Sequence, residues 1–205
     1  MIAAEQVALV LLAAGRSVRF GTADKLAEPF LTQPLGMHVV TALEAIPFAG
    51  RVAVIDGSDL DYATRGFAVV RNDAPEQGLS RSVALGVEAA KGCGCGAVLI
   101  ALADMPRVTA AHVWRMLDYA QGSDAIIGSS NGEHPTPPVL FGSDQFDRLL
   151  TLDGQAGARD LVRAGHHVVA SPAELVDVDT PEDLAALRER FAGEAATRAA
   201  ARRSD

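Results

Sequence analysis

The stretch QVALVLLAAGRSVRFGTADKL, residues 6–26, changes character abruptly at its middle. Its first half is apolar and rich in Val and Leu, which is typical of a strand buried on both faces. Glycines, a serine and three cations follow, the cations being Arg16, Arg19 and Lys25. Exposed backbone N–H groups beside cations form an anion-binding nest, so the stretch predicts a buried strand that ends in a phosphate-binding loop.

Similar apolar runs recur along the chain and alternate with segments of helical period. The predicted strands are QVALVLLA, RVAVID, FAVVR, AVLIALA, DAIIGSS, PPVLF, HHVVAS and ELVDV. The predicted helices cover residues 36–45, 80–90, 109–120, 143–150, 156–163 and 181–192. Strands that are apolar on both faces and separated by helices predict a three-layer α/β/α sandwich with a mostly parallel, Rossmann-like sheet.

The length of 205 residues fits one domain, which we predict to cover residues 1–192. Its last helix has a clear start in TPEDLAAL, where Thr180 is the N-cap and Pro181 the first helical residue. Glu182 and Asp183 add negative charge at the positive end of that helix. Residues 193–205 are rich in alanine and have no apolar stripe, so we expect a frayed or disordered tail.

Composition and charge narrow the possible partners. The net charge of −8 argues against nucleic acid as a partner, since nucleic-acid binders are basic. The apolar stretch at residues 7–14 follows no basic segment and is too short to span a bilayer, so we expect no membrane association and a cytoplasmic location. Cys93 and Cys95 fit a glycine-rich loop in a reducing compartment better than a zinc site.

Acidic residues follow two of the predicted strands. Asp104 comes directly after AVLIALA, and Asp177 and Asp179 lie two apart at the end of ELVDV, where a strand would point both to one face. Ligands of an open parallel sheet bind outside the carboxyl ends of its strands, so these carboxylates should meet the glycine loop there. Magnesium favours one or two carboxylates plus substrate phosphates, which predicts a Mg²⁺ site.

The glycine loop matches neither common phosphate-binding fingerprint. The Walker pattern G-x-x-x-x-G-K-[ST] is absent, and Gly15 and Gly21 do not fit G-x-G-x-x-G. Ala13, Ala14 and Gly15 have small side chains or none, so a ligand can approach the backbone closely. We therefore expect a triphosphate to bind here.

Five motifs in order resemble the MobA-like nucleotidyltransferases, in particular the molybdenum cofactor cytidylyltransferases. They are LAAGRSVRFGTADKL, NDAPEQGLSRSVALG, ALADMPRVT, PPVLF with GQAGARDLV, and VDVDTPEDL, which together span about residues 7–190. The resemblance implies transfer of a nucleoside monophosphate from CTP to molybdopterin, with Mg²⁺ and release of pyrophosphate. It also implies a molybdoenzyme or its chaperone as a further partner.

The same resemblance assigns roles to residues. It implies catalytic roles for Arg19, Lys25 and Asp104, and metal binding by Asp104 with Asp177 or Asp179. The implied nucleotide-binding residues are Leu12, Ala13, Ala14, Gly15, Arg16, Ser17, Arg19, Lys25, Gly78 and Ser82, of which Gly78 and Ser82 line the base pocket. In relatives of this kind an AAG loop goes with cytidine and an AGG loop with guanosine, so Ala14 favours CTP.

The chain departs from the family pattern on the acceptor side, and other functions stay open. TPP separates His134-Pro135 from Val139, and GQAGAR replaces the commoner acidic GD-GAR. His134, His166 and His167 are candidate pterin contacts or surface residues, while Trp114 and Met116 fit helix packing. One alternative is a nucleotidyltransferase that uses GTP or another NTP, with molybdopterin, a sugar phosphate or a phospho-alcohol as its acceptor. A second is a metal-dependent glycosyltransferase, because DVD resembles the D-x-D motif that binds a sugar nucleotide. A third is a module that binds a nucleotide without turnover.

Overall fold

A computed structural model describes residues 1–14, 20, 24–152 and 154–201, and it contains a mixed seven-stranded sheet in the order β5-β4-β1-β6-β8-β7-β9. These strands are β1 (Val7–Ala13), β4 (Gly50–Ile55), β5 (Ala68–Arg71), β6 (Ala97–Leu102), β7 (Ile126–Ser130), β8 (Pro135–Gly142) and β9 (His166–Val169). A small hairpin of β2 (Pro29–Phe30) and β3 (Gln33–Pro34) lies apart from this sheet. The helices are α1 (His38–Ala42), α2 (Leu79–Lys91), α3 (Ala110–Tyr119), α4 (Phe146–Leu150), α5 (Gly154–Ala164) and α6 (Pro181–Ala201).

The sheet is mostly parallel, as predicted. Central β1 pairs in parallel with β4 and β6, with Leu9 opposite Arg51 on one side and Leu99 on the other. β8 is antiparallel to both of its neighbours, β6 and β7, so β7 and its parallel partner β9 have the direction of β6. One reversed strand therefore separates two parallel groups.

Both faces of the sheet are covered, which confirms the three-layer architecture. Every residue of β1 is buried, and alternate residues contribute to two different hydrophobic clusters. On one face Leu9 and Leu11 belong to the same cluster as Met116 of α3; on the other, Val10 joins residues of α2. A Cβ added at Gly86 of α2 would lie 2.3 Å from Val10 Cγ1, so this glycine lets the helix pack closely on the central strand.

The prediction of a strand at ELVDV is wrong. Residues 174–178 form no ladder, although Leu175 and Val178 are buried. Both sides of β6 are already occupied by β1 and β8, so this segment can bury its apolar residues only by packing outside the sheet. Its Val178 N–H bonds to the Asp104 carbonyl at 3.0 Å, which still brings it to the end of β6.

Helix bounds differ from the predictions mainly at their ends. The helix predicted at 36–45 is a 3₁₀ turn at Leu35–Met37 followed by α1, and the one at 143–150 is a 3₁₀ turn at Ser143–Gln145 followed by α4. α6 continues to Ala201, beyond the predicted domain boundary at 192. No helix among the described residues has both the length and the apolarity needed to cross a bilayer.

Candidate functional site

The loops predicted to carry chemistry meet at one edge of the sheet. β1, β4, β5 and β6 are mutually parallel, so their carboxyl ends lie on the same side. Ala14 follows β1, Asn72 follows β5, and Asp104 comes two residues after β6. A crevice outside the carboxyl ends of the strands is the usual ligand site of an open α/β sheet.

Lys25 joins distant parts of the chain at this edge. Its Nζ donates to Asp104 Oδ2 at 2.8 Å and to Asp179 Oδ1 at 3.4 Å. Lys25 is only 8% exposed, and a buried ammonium group requires carboxylates or other acceptors around it. The fold thus brings together three residues that the sequence predicted as site residues.

Asp104 is held by backbone contacts on both sides, and one of its carboxylate oxygens has no hydrogen-bond partner among the described residues. Ala103 N–H bonds to the Leu12 carbonyl at 3.1 Å, and Val178 N–H bonds to the Asp104 carbonyl at 3.0 Å. Its Oδ2 contacts Lys25, whereas its buried Oδ1 accepts no hydrogen bond from the residues that the structure describes. A buried carboxylate oxygen of this kind requires a cation or a donor.

The surroundings of Asp104 change the pKa of its carboxyl group in opposite directions. Burial raises the pKa of its carboxyl group above the usual value, and the ammonium group of Lys25 acts against that change. The nearby charges of Asp177 and Asp179 raise the pKa further. A second cation at this position would therefore favour the ionised carboxylate.

Asp177 and Asp179 are not on a strand, which corrects the prediction that a strand points both to one face. They flank Val178 in an irregular segment, and both are exposed. Asp179 reaches Lys25, whereas Asp177 acts on Asp104 only through its charge in the contacts described. Buried Val178 anchors the segment and leaves the two acids at the surface.

The helix start predicted at Thr180 is confirmed and fixes the backbone of Asp179. Thr180 Oγ1 accepts from the Asp183 N–H at 3.1 Å, and Asp183 Oδ2 accepts from the Thr180 N–H at 2.8 Å. The same Oδ2 accepts from the Asp179 N–H at 3.1 Å. This reciprocal capping holds Asp179 at the N-terminus of α6.

The end of β1 borders a small cavity beside Lys25. Leu12 and Ala13 are buried and Ala14 is half-buried. The cavity has a volume of about 110 Å³ and is lined by Leu12, Ala13, Ala14, Lys25, Leu26, Leu79, Leu102 and Asp104. Complete ligand sites measure about 300–1,000 Å³, so this cavity alone is too small to hold a whole nucleotide. Gly15, Arg16, Ser17 and Arg19 lie outside the described residues.

The loop between β5 and α2 is fixed by Asn72, which sequence reasoning missed. Asn72 is 2% exposed; its Nδ2 donates to Ser82 Oγ at 3.0 Å and its Oδ1 accepts from the Ala74 N–H at 3.0 Å. Ser82 is itself buried, and its hydroxyl helps to hold this loop by accepting from Asn72. Gly78 precedes α2 at φ +84° and ψ −168°, a conformation that only glycine adopts readily. A polar residue directly after a strand was the available signal for Asn72.

Asp24 and Ser58 were also missed. Asp24 Oδ1 accepts from the Leu26 N–H at 2.9 Å and its Oδ2 accepts from Ser58 Oγ at 2.6 Å. Asp24 thereby caps the 3₁₀ turn Lys25–Ala27 that carries the lysine. Aspartate before a short helical turn is a recognisable capping signal, whereas nothing in the sequence links residue 58 to it.

The hairpin of β7 and β8 contains the TPP segment in which the chain departs from the family pattern. Gly128 pairs with Val139 and Ser129 with Thr136, so Pro137 and Pro138 are accommodated in an irregularity of the ladder. The unusual TPP segment is therefore part of β8. Exposed His134 directly precedes this strand, at the carboxyl end of β7.

His166 and His167 lie away from the carboxyl edge. They begin β9, opposite Ile127 and Gly128 near the start of β7, and the His167 ring bonds to the Val162 carbonyl at 2.8 Å. Of the three candidate histidines, only His134 stands beside the hairpin turn at the site edge.

A second buried polar cluster surrounds His112 of α3. The His112 Nε2 lies 2.7 Å from Ser129 Oγ, and that hydroxyl donates to the Pro138 carbonyl at 2.7 Å. His112 Nδ1 lies 3.2 Å from Arg115 Nη2. The neighbouring residue Met116 is fully buried, which confirms its packing role, while Trp114 is 43% exposed.

Comparison with known proteins identifies the family to which the chain belongs. Residues 9–169 match the model of the MobA-like NTP transferase domain. The chain is similar to the purine catabolism protein PucB of Bacillus subtilis (strain 168), with 31% identity over 199 residues that cover 87% of this chain and 94% of that protein. A molybdenum cofactor guanylyltransferase of Cupriavidus metallidurans is 26% identical over 198 residues, 90% of this chain and 95% of its own length.

The fold is also found in solved structures. Rv0371c from Mycobacterium tuberculosis H37Rv superposes with a TM-score of 0.78 at 24% identity, over 92% of this chain and 100% of that one. Another structure of Rv0371c, in complex with manganese, has a TM-score of 0.70 at 22% identity, over 90% of this chain and 98% of that one. At this identity the likeness is one of fold.

Proposed function

Because the chain belongs to the MobA-like NTP transferase family, we propose that this nucleotidyltransferase moves CMP from CTP to the phosphate of molybdopterin and releases pyrophosphate. The observation that carries the proposal is the contact of Lys25 with Asp104 and Asp179 beside the cavity at the end of β1. A buried cation and two carboxylates at this edge are the groups that phosphoryl transfer uses.

The transfer itself is a displacement at phosphorus. An oxygen of the acceptor phosphate forms a bond to the α-phosphorus of the nucleotide, the bond from that phosphorus to the pyrophosphate breaks, and pyrophosphate leaves with the electron pair. No covalent enzyme intermediate is required. Lys25 would stabilise the charge that develops on the leaving pyrophosphate, and Arg19 is proposed to do the same.

The residues present fit a divalent cation. The buried, unpartnered Oδ1 of Asp104 is an oxygen acceptor without a donor among the described residues, and Asp179 supplies a second carboxylate at the same point. Magnesium favours this donor set, one or two carboxylates completed by substrate phosphates. Bound there by Asp104 and Asp179, with Asp177 nearby, it would neutralise phosphate charge. The manganese complex of Rv0371c, a protein of the same fold, is consistent with such a site.

For the nucleobase we propose cytosine, on the size of the slot at Ala14. Ala14 and Leu79 both line the cavity beside Lys25. On this proposal, the methyl group of Ala14 would narrow a space that glycine would leave open. Gly78 and the Asn72–Ser82 pair would shape the other wall of the base pocket. Discrimination by one methyl group is modest, about 10–200-fold, so some use of GTP is expected.

The acceptor is proposed to lie beside the hairpin of β7 and β8. This hairpin ends at the same edge as Asp104, and its turn carries His134. Phosphate-bearing acceptors other than molybdopterin would use the same nucleotide-binding residues around Lys25 and Asp104. Turnover with each acceptor therefore decides between them.

The proposal is tested by pyrophosphate release from CTP, GTP, UTP and ATP, with Mg²⁺ and either molybdopterin or a sugar 1-phosphate. We expect turnover with molybdopterin and the largest kcat/KM for CTP. If pyrophosphate is released only with the sugar phosphate, the acceptor is a sugar phosphate and the assignment of molybdopterin is wrong. Binding of CTP without release under any condition would indicate a nucleotide-binding module.

Guanylyl transfer is the second candidate, because relatives such as the Cupriavidus metallidurans protein carry the name guanylyltransferase. Ala14→Gly should move the ratio of kcat/KM values towards GTP if the methyl group sets the slot. The matched control is Ala27→Gly, an exposed alanine on the turn that carries Lys25. GTP preferred by the unmodified protein would assign it to the guanylyl branch.

A further inference from the structure

The Ser58–Asp24 hydrogen bond is a feature of the site that the proposed chemistry does not use. Ser58 Oγ donates to Asp24 Oδ2 at 2.6 Å, and the other oxygen of that carboxylate accepts from the Leu26 N–H at 2.9 Å. Both acceptor atoms of Asp24 are therefore engaged, one within its own turn and one with a different loop. Neither Asp24 nor Ser58 is assigned a contact with substrate.

The two residues connect the end of β4 with the turn that carries Lys25. Ser58 lies three residues after β4, and the intervening Gly57 has φ +135°, a conformation that favours glycine. Asp24 is the N-cap of the 3₁₀ turn Lys25–Ala27. The turn is thus attached to the sheet through Ser58 on one side and through the Lys25–Asp104 ion pair on the other.

We propose that Ser58 and Asp24 are positioning residues for Lys25, an inference that rests on the proposed function. The lysine side chain has many rotamers, and its placement between Asp104 and Asp179 requires a fixed starting point at its Cα. A 3₁₀ turn of three residues has little stability of its own. The Asp24 carboxylate and its bond to Ser58 supply that fixed point.

A similar pair elsewhere in the molecule provides a matched control. Ser123 Oγ donates to Asp144 Oδ2 at 2.8 Å, and this pair is exposed. It lies before β7, at the end of that strand opposite to the carboxyl edge. Removal of the Ser123 hydroxyl therefore breaks the same type of bond without affecting Lys25.

A double-mutant cycle on kcat/KM tests the proposal. We expect Ser58→Ala to lower kcat/KM about tenfold, the size of one lost hydrogen bond to a charged group. In the Lys25→Met background the same change should have less than about a twofold effect, because residues that act through one group are not additive. Ser58→Thr, which keeps the hydroxyl, should restore the rate, and Ser123→Ala should change it less than about twofold in either background.

A second measurement does not depend on turnover. The rate at which acetic anhydride modifies Lys25, followed by mass spectrometry, should rise in Ser58→Ala and Asp24→Asn and stay unchanged in Ser123→Ala. Equal effects of Ser58→Ala in both backgrounds, or an unchanged acetylation rate, would overturn the positioning role. Faster acetylation in a protein that transfers no nucleotide would support the positioning role and reject the proposed function.

Discussion

The buried polar cluster around Lys25 and the one around His112 differ in how completely their groups are paired among the residues that the structure describes. At His112, the donors and acceptors match. Ser129 donates to a carbonyl, so His112 Nε2–H donates to Ser129, and Nδ1 accepts from Arg115. At Lys25, the buried Oδ1 of Asp104 accepts no hydrogen bond from the described residues.

On the proposed function, the incomplete pairing at Lys25 leaves an acceptor for a ligand, whereas the complete pairing at His112 contributes to stability. Buried polar groups in proteins are nearly always satisfied, and a complete network specifies packing. An unsatisfied acceptor beside a buried ammonium group costs stability unless a ligand completes it. The Lys25 cluster should therefore respond to substitution mainly in activity, and the His112 cluster mainly in stability.

The largest effect is expected for Asp104→Asn. The amide oxygen can still accept from Lys25, but the negative charge is lost, so transfer should fall about a hundredfold or more. The free energy of unfolding should change by less than about 1 kcal/mol, because the carboxylate that burial disfavours is removed while Lys25 keeps the amide oxygen and Asp179 as acceptors. Steady-state pyrophosphate release and urea denaturation measure the two quantities.

Its control is Asp177→Asn, which changes an exposed acid without a contact to Lys25 in the bonds described. Asp177→Asn should reduce transfer by a much smaller factor, and Asp179→Asn should lie between the two. A large loss of stability in Asp104→Asn with preserved turnover would assign Asp104 to the scaffold.

Lys25→Met should lower the transfer rate about ten- to hundredfold, the usual size of a charge-assisted contact of about 1.5–3 kcal/mol. It should also tighten the binding of Mn²⁺ without nucleotide, because Asp104 and Asp179 lose the ammonium group between them. Titration followed by electron paramagnetic resonance measures the free Mn²⁺. Lys91→Met, at an exposed lysine on α2, controls for the loss of one positive charge; equal Mn²⁺ binding in both variants would contradict the argument.

Ser129→Ala should lower stability and leave activity unchanged, the reverse of the effects expected in the Lys25 cluster. It leaves the His112 N–H and the Pro138 carbonyl without their partner, so the free energy of unfolding should fall by about 1–3 kcal/mol. The KM for the nucleotide should stay unchanged. Urea denaturation measures the first effect, with Ser123→Ala as an exposed control that should shift it by less than about 0.5 kcal/mol. If Ser129→Ala is as stable as the unmodified protein, the His112 cluster does not contribute to stability as proposed.

The smallest effect concerns pH. Burial lowers the pKa of His112, assisted by the charge of Arg115 and opposed by that of Glu174. The unfolded chain then binds a proton below about pH 6.5 that the folded state does not, so stability falls as the pH drops from about 6.5 towards the lowered pKa. His112→Gln should flatten this dependence in urea denaturation between pH 7.5 and 5, and His134→Gln, at an exposed histidine, should not.

The parallel half of the fold was predictable because each element carries its own signal. β1, β4 and β6 are buried on both faces, so their apolar runs identify them without knowledge of their neighbours. Because the loops that follow parallel strands lie at the same edge of the sheet, the sequence also predicted that Lys25 and Asp104 are close together. The start of α6 at Thr180 follows from local capping chemistry alone.

The remaining features depend on neighbours that a local pattern does not contain. ELVDV alternates like a strand, but β1 and β8 already occupy both sides of β6. The irregularity that accommodates Pro137 and Pro138 depends on pairing with β7, and the Asp24–Ser58 bond joins residues 34 apart in sequence. The contact of Asp179 with Lys25 joins residues 154 apart in sequence.

The distances along the chain between the contacting side chains have a consequence for synthesis. Lys25 lies 79 residues before Asp104 and 154 residues before Asp179. A ribosome therefore synthesises Lys25 well before Asp104 and longer still before Asp179, and such long-range contacts form late in folding. A nascent chain can assemble β1 and its neighbours before any residue of α6 exists. The contact between Lys25 and Asp179 can therefore form only after the segment that leads into α6 has been synthesised.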